Sequence, residues 1–321
     1  MRSLRAAGRT LVLLGALGAS VAVGRHAHRR YESDMRRAYA AIEASATETV
    51  ETSIGTVEYC TRGDGVPVLV SHGIVGGFDQ AIQTGEGLLE TDARLIGVSR
   101  FGYLGSELPE QATPENQARA YVEVLDDLGI DDVVVIGTSA GGAPAIRFAL
   151  DYPDQTRGLV LIGSTAPNER PLVGPTGPPH AILNDPVFWL LVNHAPRAFH
   201  ALFGIDRDDY RSASPEGRHR VDALLDTLVP VEPRKPGIVN DARVTNTAMV
   251  EHHDEYTLET LDVPTLVIHA EDDPLASFEN VERMVDRIPD AEFLPYRTGG
   301  HLVFGHGDVI RRAVTDFVTS T

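Results

Sequence analysis

Apolar and polar positions along the chain follow two alternating patterns. Short runs rich in β-branched residues, "PVLVSHG", "RLIGVSR", "VVVIGTS", "GLVLIGS" and "TLVIHAE", end in turn-forming residues. Such runs predict buried strands of a parallel sheet. Between them, apolar residues recur at helical spacing. The clearest case is "TPENQARAYVEVLDDLG", where Thr113 is the expected N-cap, Pro114 fills the first turn and Gly129 follows the end. Before the first buried run, "ETVETSIGTVEYCTRGDG" alternates in period two, predicting a hairpin around Ser53–Gly55 and a second turn at Gly63–Gly65. "AEFLPYRT" supplies a last strand. Strands alternating with helices predict an α/β fold, a mostly parallel sheet covered on both faces.

The pattern breaks between Thr165 and Pro264. There proline-rich "APNERPLVGPTGPP" leads into helical "DPVFWLLVNHAPRAFHALFG" and "RHRVDALLDTLVP", without a clear strand. A stretch of that length inside a compact domain is not a plain loop. It predicts a helical cap insertion at residues 165–264, between core segments 49–164 and 265–321. Phe188, Trp189 and Phe199 suit either a pocket lining or a small core of the cap's own. Residues 31–48 read as an exposed helical spacer, with Met35, Ala38, Tyr39 and Ile42 on one side.

From Thr10 to Gly24 no residue is charged, and arginines frame the segment on both sides (Arg2, Arg5 and Arg9; Arg25, Arg29 and Arg30). Fifteen residues fall short of the roughly 17–25 of a spanning helix and match the roughly 7–15 of a signal apolar region. Residues 1–30 are therefore expected to be a signal or a membrane anchor, and the chain to be exported or membrane-associated through residues 10–24.

One run carries chemistry. In "VVVIGTSAGGAPAIRFAL", Gly137 and Gly141 flank Ser139 at two residues on either side, where the strand gives way to a helix. This G-x-S-x-G turn brings strand and helix close together and pushes the serine out of the packed layers. A serine hydroxyl needs a base to become a good nucleophile, and the base needs an orienting group. His301, in "RTGGHLVFG", follows a strand and two glycines. His306 lies close by, at the start of the last helical pattern. Asp272 and Asp273 follow the buried run "TLVIHAE", on the strand ends where such sheets collect functional groups. The chain order Ser139, then aspartate, then His301 is that of a serine-hydrolase triad on this kind of sheet.

Five segments in order, "SHGIVGG", "GVSRFGYLGS", "GTSAGG", "HAEDDPLAS" and "GGH", resemble the α/β-hydrolase superfamily from about residue 50 to the end. The resemblance implies that Asp273 is the acid, although Ala270 stands where the family pattern usually has glycine. It also implies an oxyanion hole formed by the backbone N–H groups of Ile74 and Ala140, with Gly73 turning its amide inward and His72 propping the loop. The implied activity is hydrolysis of a small-molecule ester or lactone through an acyl-enzyme, with no cofactor or metal. Serine at the elbow argues against the dehalogenase and epoxide-hydrolase branches, which need a carboxylate there. Carbon–carbon bond hydrolysis and cofactor-free perhydrolysis use the same residues. A membrane-tethered binding protein has no need of a complete triad.

Composition narrows the partners. With 46 acidic and 28 basic residues the formal charge is −18. That excess argues against nucleic acid and against strongly anionic substrates, and fits adaptation to high salt. Among the cations of the cap, Arg197 and Arg234 are candidates for recognising substrate. Cys60 is the only cysteine, so no intrachain disulfide forms, and it reads as a small strand residue. The histidines of "EHHDE" at 251–255 are adjacent, point to different helix faces and suit a solvated surface better than a metal.

Overall fold

The computed structural model describes residues 24–90, 92–168 and 177–321. Of the expected leader, residues 1–30, residues 1–23 lie outside them. Among the described residues no helix is long and apolar enough to cross a membrane. The chain divides into two units, Met1–Ala44 and Ser45–Thr321. In the first, residues 24–43 form helix α1, in which Met35 is buried. The helix starts before the expected spacer and stops where the period-two pattern takes over.

The second unit is built on one eight-stranded sheet. Strands β1 (Thr47–Glu51) and β2 (Thr56–Arg62) form the expected antiparallel hairpin, and β2 then pairs antiparallel with β4 (Ala93–Val98). The turn after β2 leads across β4 to β3 (Val66–Ser71), and from there all pairings are parallel, through β5 (Val133–Thr138), β6 (Thr156–Ile162), β7 (Thr265–Ala270) and β8 (Glu292–Tyr296). The spatial order is β1-β2-β4-β3-β5-β6-β7-β8. Cys60 is buried within β2, and burial pushes its thiol pKa up, which suits a packing role.

Helices cover both faces, as the all-apolar strands require. Leu69, Ile96, Val98, Val135, Leu159 and Val267 share one face with residues of α3 (Pro114–Leu128), α4 (Gly142–Asp151) and α11 (Phe278–Arg287). Strand alternation sends Gly97 and Gly158 to the other face. A Cβ on Gly97 would stand 2.8 Å from the Phe78 carbonyl in α2 (Phe78–Leu88), and one on Gly158 would stand 2.8 Å from the Phe317 ring in α12 (Gly307–Ser320). Helix α3 has the ends its sequence specifies. Thr113 Oγ1 accepts from the Asn116 N–H, and Gly129 closes the helix at φ 63°.

Between β6 and β7 the described residues are helical: α5 (Asp185–His194), α6 (Pro196–Leu202), α7 (Arg207–Ser212), α8 (Pro215–Thr227), α9 (Lys235–Asn240) and α10 (Asn246–Glu251). A π-helical turn, Asp241–Thr245, joins the last two. Phe188, Val192, Leu225 and Leu228 pack with Val75 and Tyr103 from the core loops in a small second core against which Phe199 lies, and Trp189 is also buried. Helix α9 sits directly on the loop after β4. Gly237 N–H donates to the Gly102 carbonyl at 2.8 Å, and a Cβ on Gly237 would stand 2.1 Å from the Tyr103 ring.

Candidate active site

Four loops at the carboxyl ends of β3, β5, β7 and β8 meet at one point. At the end of β5 Ser139 adopts φ 51°, a left-handed conformation costly for a residue with a side chain. Packing enforces it. A Cβ on Gly141 would stand 2.1 Å from the Ser71 carbonyl, and one on Gly137 would stand 2.7 Å from the Ala145 Cβ, so strand and helix close in only because both positions are glycine.

Ser139, His301 and Asp273 are brought together. Ser139 Oγ lies 2.9 Å from His301 Nε2, while His301 Nδ1 lies 2.9 Å and 3.1 Å from the two carboxylate oxygens of Asp273. With the aspartate ionised, Nδ1–H donates to it and Nε2 is left to accept the serine proton. The Asp273 side chain is fully buried and His301 is nearly so. Burial alone would push the Asp273 carboxyl up. The hydrogen bond and charge of His301 and the amides of Ala276 and Leu275 outweigh it and hold the group below its ordinary value. His269 Nε2 donates to the Ala276 carbonyl at 3.0 Å and lies 3.4 Å from Asp273 Oδ2, the oxygen that also takes the 2.9 Å bond of His301. Burial keeps that imidazole neutral.

Asp272 has a different task. Its oxygens accept from the Gly300 N–H at 2.8 Å and the Gly299 N–H at 3.3 Å, so it shapes the turn that presents His301. His306 points away, with Nε2 on the Thr298 carbonyl.

The loop after β3 lies against the serine, where a Cβ on Gly73 would stand 3.2 Å from the Ser139 Cβ. Ile74 follows it, and Ala140 begins the turn into α4. These are the two positions expected to offer backbone amides to a developing oxyanion, for which one donor is typically worth about 3–4 kcal/mol. His72 is fully buried, its Nδ1–H on the Gly73 carbonyl and its Nε2 accepting from the Arg100 N–H. Burial and the Arg100 charge hold it well below its ordinary pKa, so it is a neutral prop.

The match to known families decides the lineage. Residues 66–308 match the family described as alpha/beta hydrolase fold. The chain belongs to that family. This α/β hydrolase superposes on an alpha/beta hydrolase fold protein from Nakamurella multipartita with TM-score 0.74 and 26% identity, over 85% of this chain and 99% of that one. It is 38% identical over 115 residues to an uncharacterized hydrolase, YcgS, of Bacillus subtilis, which covers 36% of this chain and 40% of that protein. The chain thus matches less than half the length of that relative. It is 28% identical over 271 residues to a 2-hydroxymuconate semialdehyde hydrolase of Pseudomonas putida, covering 80% of this chain and 88% of that protein.

Two ion pairs of this α/β hydrolase, each with a buried arginine, escape a reading of the sequence. Arg234, expected to be available to substrate, is fully buried and binds Asp79 with two bonds of 2.7 Å and 3.0 Å, together with the Gly76 carbonyl at 2.6 Å. It fastens the cap to the loop after β3 and has no free donor face for a ligand. Arg100 makes the reciprocal pair from core to cap with Asp241, two bonds of 2.6 Å. The partners lie 155 and 141 residues apart, and no local signal separates either acid from the many on the surface. In "EHHDE", His252 bonds Glu255 and His253 bonds the Val250 carbonyl.

Proposed function

We propose that this α/β hydrolase is a serine hydrolase of carboxylic esters or lactones, working through Ser139, His301 and Asp273 and an acyl-enzyme. One observation carries the assignment, the unbroken hydrogen-bond chain from Ser139 Oγ through both His301 nitrogens to the buried Asp273. Ser139 attacks the acyl carbon while His301 Nε2 takes its proton, and Asp273 steadies the imidazolium. The Ile74 and Ala140 amides receive the oxyanion. Collapse expels the alcohol, protonated by His301, and a water activated by the same nitrogen releases the acid. Asp272 supports this chemistry by shaping the histidine turn.

Carbon–carbon bond hydrolysis of a dicarbonyl compound is the second reading, favoured by similarity over most of its length to a 2-hydroxymuconate semialdehyde hydrolase. The apolar content around the cap core suits apolar acyl groups. Residues 1–30 are proposed to act as a leader or membrane anchor. Incubation with a fluorophosphonate followed by peptide mass mapping tests the nucleophile. Label on Ser139 supports the assignment, and label elsewhere or nowhere removes it. Parallel assays with p-nitrophenyl esters, γ-lactones and a vinylogous 1,5-diketone separate the two reactions.

A further inference from the structure

The Gly73–Ile74 peptide is held from its carbonyl side. Three donors reach the Gly73 oxygen: His72 Nδ1 at 2.7 Å, Arg100 Nη2 at 3.2 Å and the Gly76 N–H at 3.2 Å. A trans peptide is planar, so its C=O and the following N–H point in opposite directions. Fixing the Gly73 carbonyl therefore fixes where the Ile74 N–H points.

Two of those donors depend on Arg100. Its backbone N–H donates to His72 Nε2 at 3.0 Å, which leaves Nδ1 to carry the proton given to Gly73. Its guanidinium donates to the His72 carbonyl at 2.9 Å as well as to Gly73. The other edge of the same fork is spent on Asp241, whose carboxylate also accepts from Tyr103 Oη at 2.5 Å. Arg100 and Asp241 are 3% and 1% exposed, so the pair is closed off from solvent. Asp241 alone in this set belongs to the cap, at the first position of the π-helical turn, a feature frequent at functional sites.

We propose that Arg100 and Asp241 are positioning residues that preset the Ile74 N–H, so that the cap and the core together assemble the oxyanion hole. The proposal rests on the serine-hydrolase assignment. A planar fork held on one edge by a carboxylate is pre-organised to meet the two carbonyls on the other. Loss of the carboxylate frees the fork, the Gly73 carbonyl and with it the Ile74 amide. An amide that stabilises only the tetrahedral state affects turnover more than substrate binding.

The test compares the full-length wild type with Asp241→Asn, Arg100→Lys, Tyr103→Phe and, as a cap variant outside the Arg100–Asp241 network, Asp185→Asn. Asp185 accepts from the Val231 and Glu232 amides. Active sites are counted by fluorophosphonate titration to completion, so that unfolded protein is excluded. The readouts are kcat and KM on p-nitrophenyl butyrate and the Ki of a trifluoromethyl ketone, which adds to the serine as a tetrahedral adduct. The expected result for Asp241→Asn and Arg100→Lys is a 30-fold or larger fall in kcat per titrated site, a parallel weakening of the ketone and KM within threefold (~1.4 kcal/mol per tenfold). Tyr103→Phe, which keeps the ion pair, is expected to lose three- to tenfold in kcat, and Asp185→Asn to retain wild-type kcat. Unchanged kcat per titrated site in Asp241→Asn and Arg100→Lys, an effect on KM alone, or an equal loss in Asp185→Asn would overturn the proposal. A wild type that takes no label at Ser139 is a separate result, which removes the serine-hydrolase assignment and this inference with it.

Discussion

The backbone N–H of His301 donates to the carbonyl of Phe203 at 2.8 Å, and the two rings stack with centroids 6.3 Å apart. Phe203 ends helix α6 of the cap, and His301 bears on the nucleophile from the far edge of the core. The cap therefore holds the base loop as well as covering it. Phe203→Ala keeps the backbone bond and removes the stacked ring. The expected outcome is a kcat reduced by roughly tenfold, inside the ~10²-fold that small misplacements cost, with the melting temperature nearly unchanged. Steady-state kinetics beside a thermal melt checks it.

Asp273 and Asp272 are neighbours with separable roles. Asp273→Asn leaves the shape of the site but offers Nδ1 the wrong partner, and its kcat is expected to fall by about 10³–10⁴. Asp272→Asn keeps an acceptor for the Gly300 N–H, and a loss of no more than about tenfold is expected. Equal losses in the two variants would contradict the assignment.

Much of this was legible along the chain, for a physical reason. The strands declared themselves because both faces are covered and every position must be apolar, as in Val133–Ile136 of β5. Ser139 declared itself because close approach of backbone to backbone admits only glycine at 137 and 141. Strand position alone left the acid as a pair, from which the family resemblance chose Asp273, and in the structure it is Asp273 that bonds His301 while Asp272 bonds the glycine turn. Arg100, Asp241, Arg234 and Asp79 were not legible. Their pairing is made across the cap–core seam, and a buried carboxylate has no sequence mark that a solvated one lacks.

Gly141 offers a direct check on the elbow. A methyl group there meets the Ser71 and His72 carbonyls, at 2.1 Å and 2.5 Å, and neither is a side chain able to swing away. Gly141→Ala is expected to destabilise the protein by about 3 kcal/mol, the upper range of overpacking, with lost activity. A urea denaturation curve measures it.

His72 and His269 are expected to contribute to a loss of stability in acid. Burial holds both below the ordinary histidine value in the folded protein. In the unfolded chain each titrates near ~6.5. Below that pH the unfolded state binds more protons, so stability falls as pH falls, by up to about 1.4 kcal/mol per pH unit for each group. Above it the two states bind equally and the slope vanishes. Thermal melts from pH 8 to 5 are expected to show this decline, and His269→Gln to lessen it by one proton's worth. A melting temperature flat across the window would contradict the burial of both rings.

The most direct measurement is hydrolysis of a chain-length series of p-nitrophenyl esters by the wild type and Ser139→Ala, in low and high salt. Turnover by the wild type and a loss of about 10³-fold or more in the alanine variant is the expected result, and the preferred acyl length then describes the acyl specificity. Equal turnover by both proteins, or turnover by neither, contradicts the assignment of Ser139 as an ester-cleaving nucleophile.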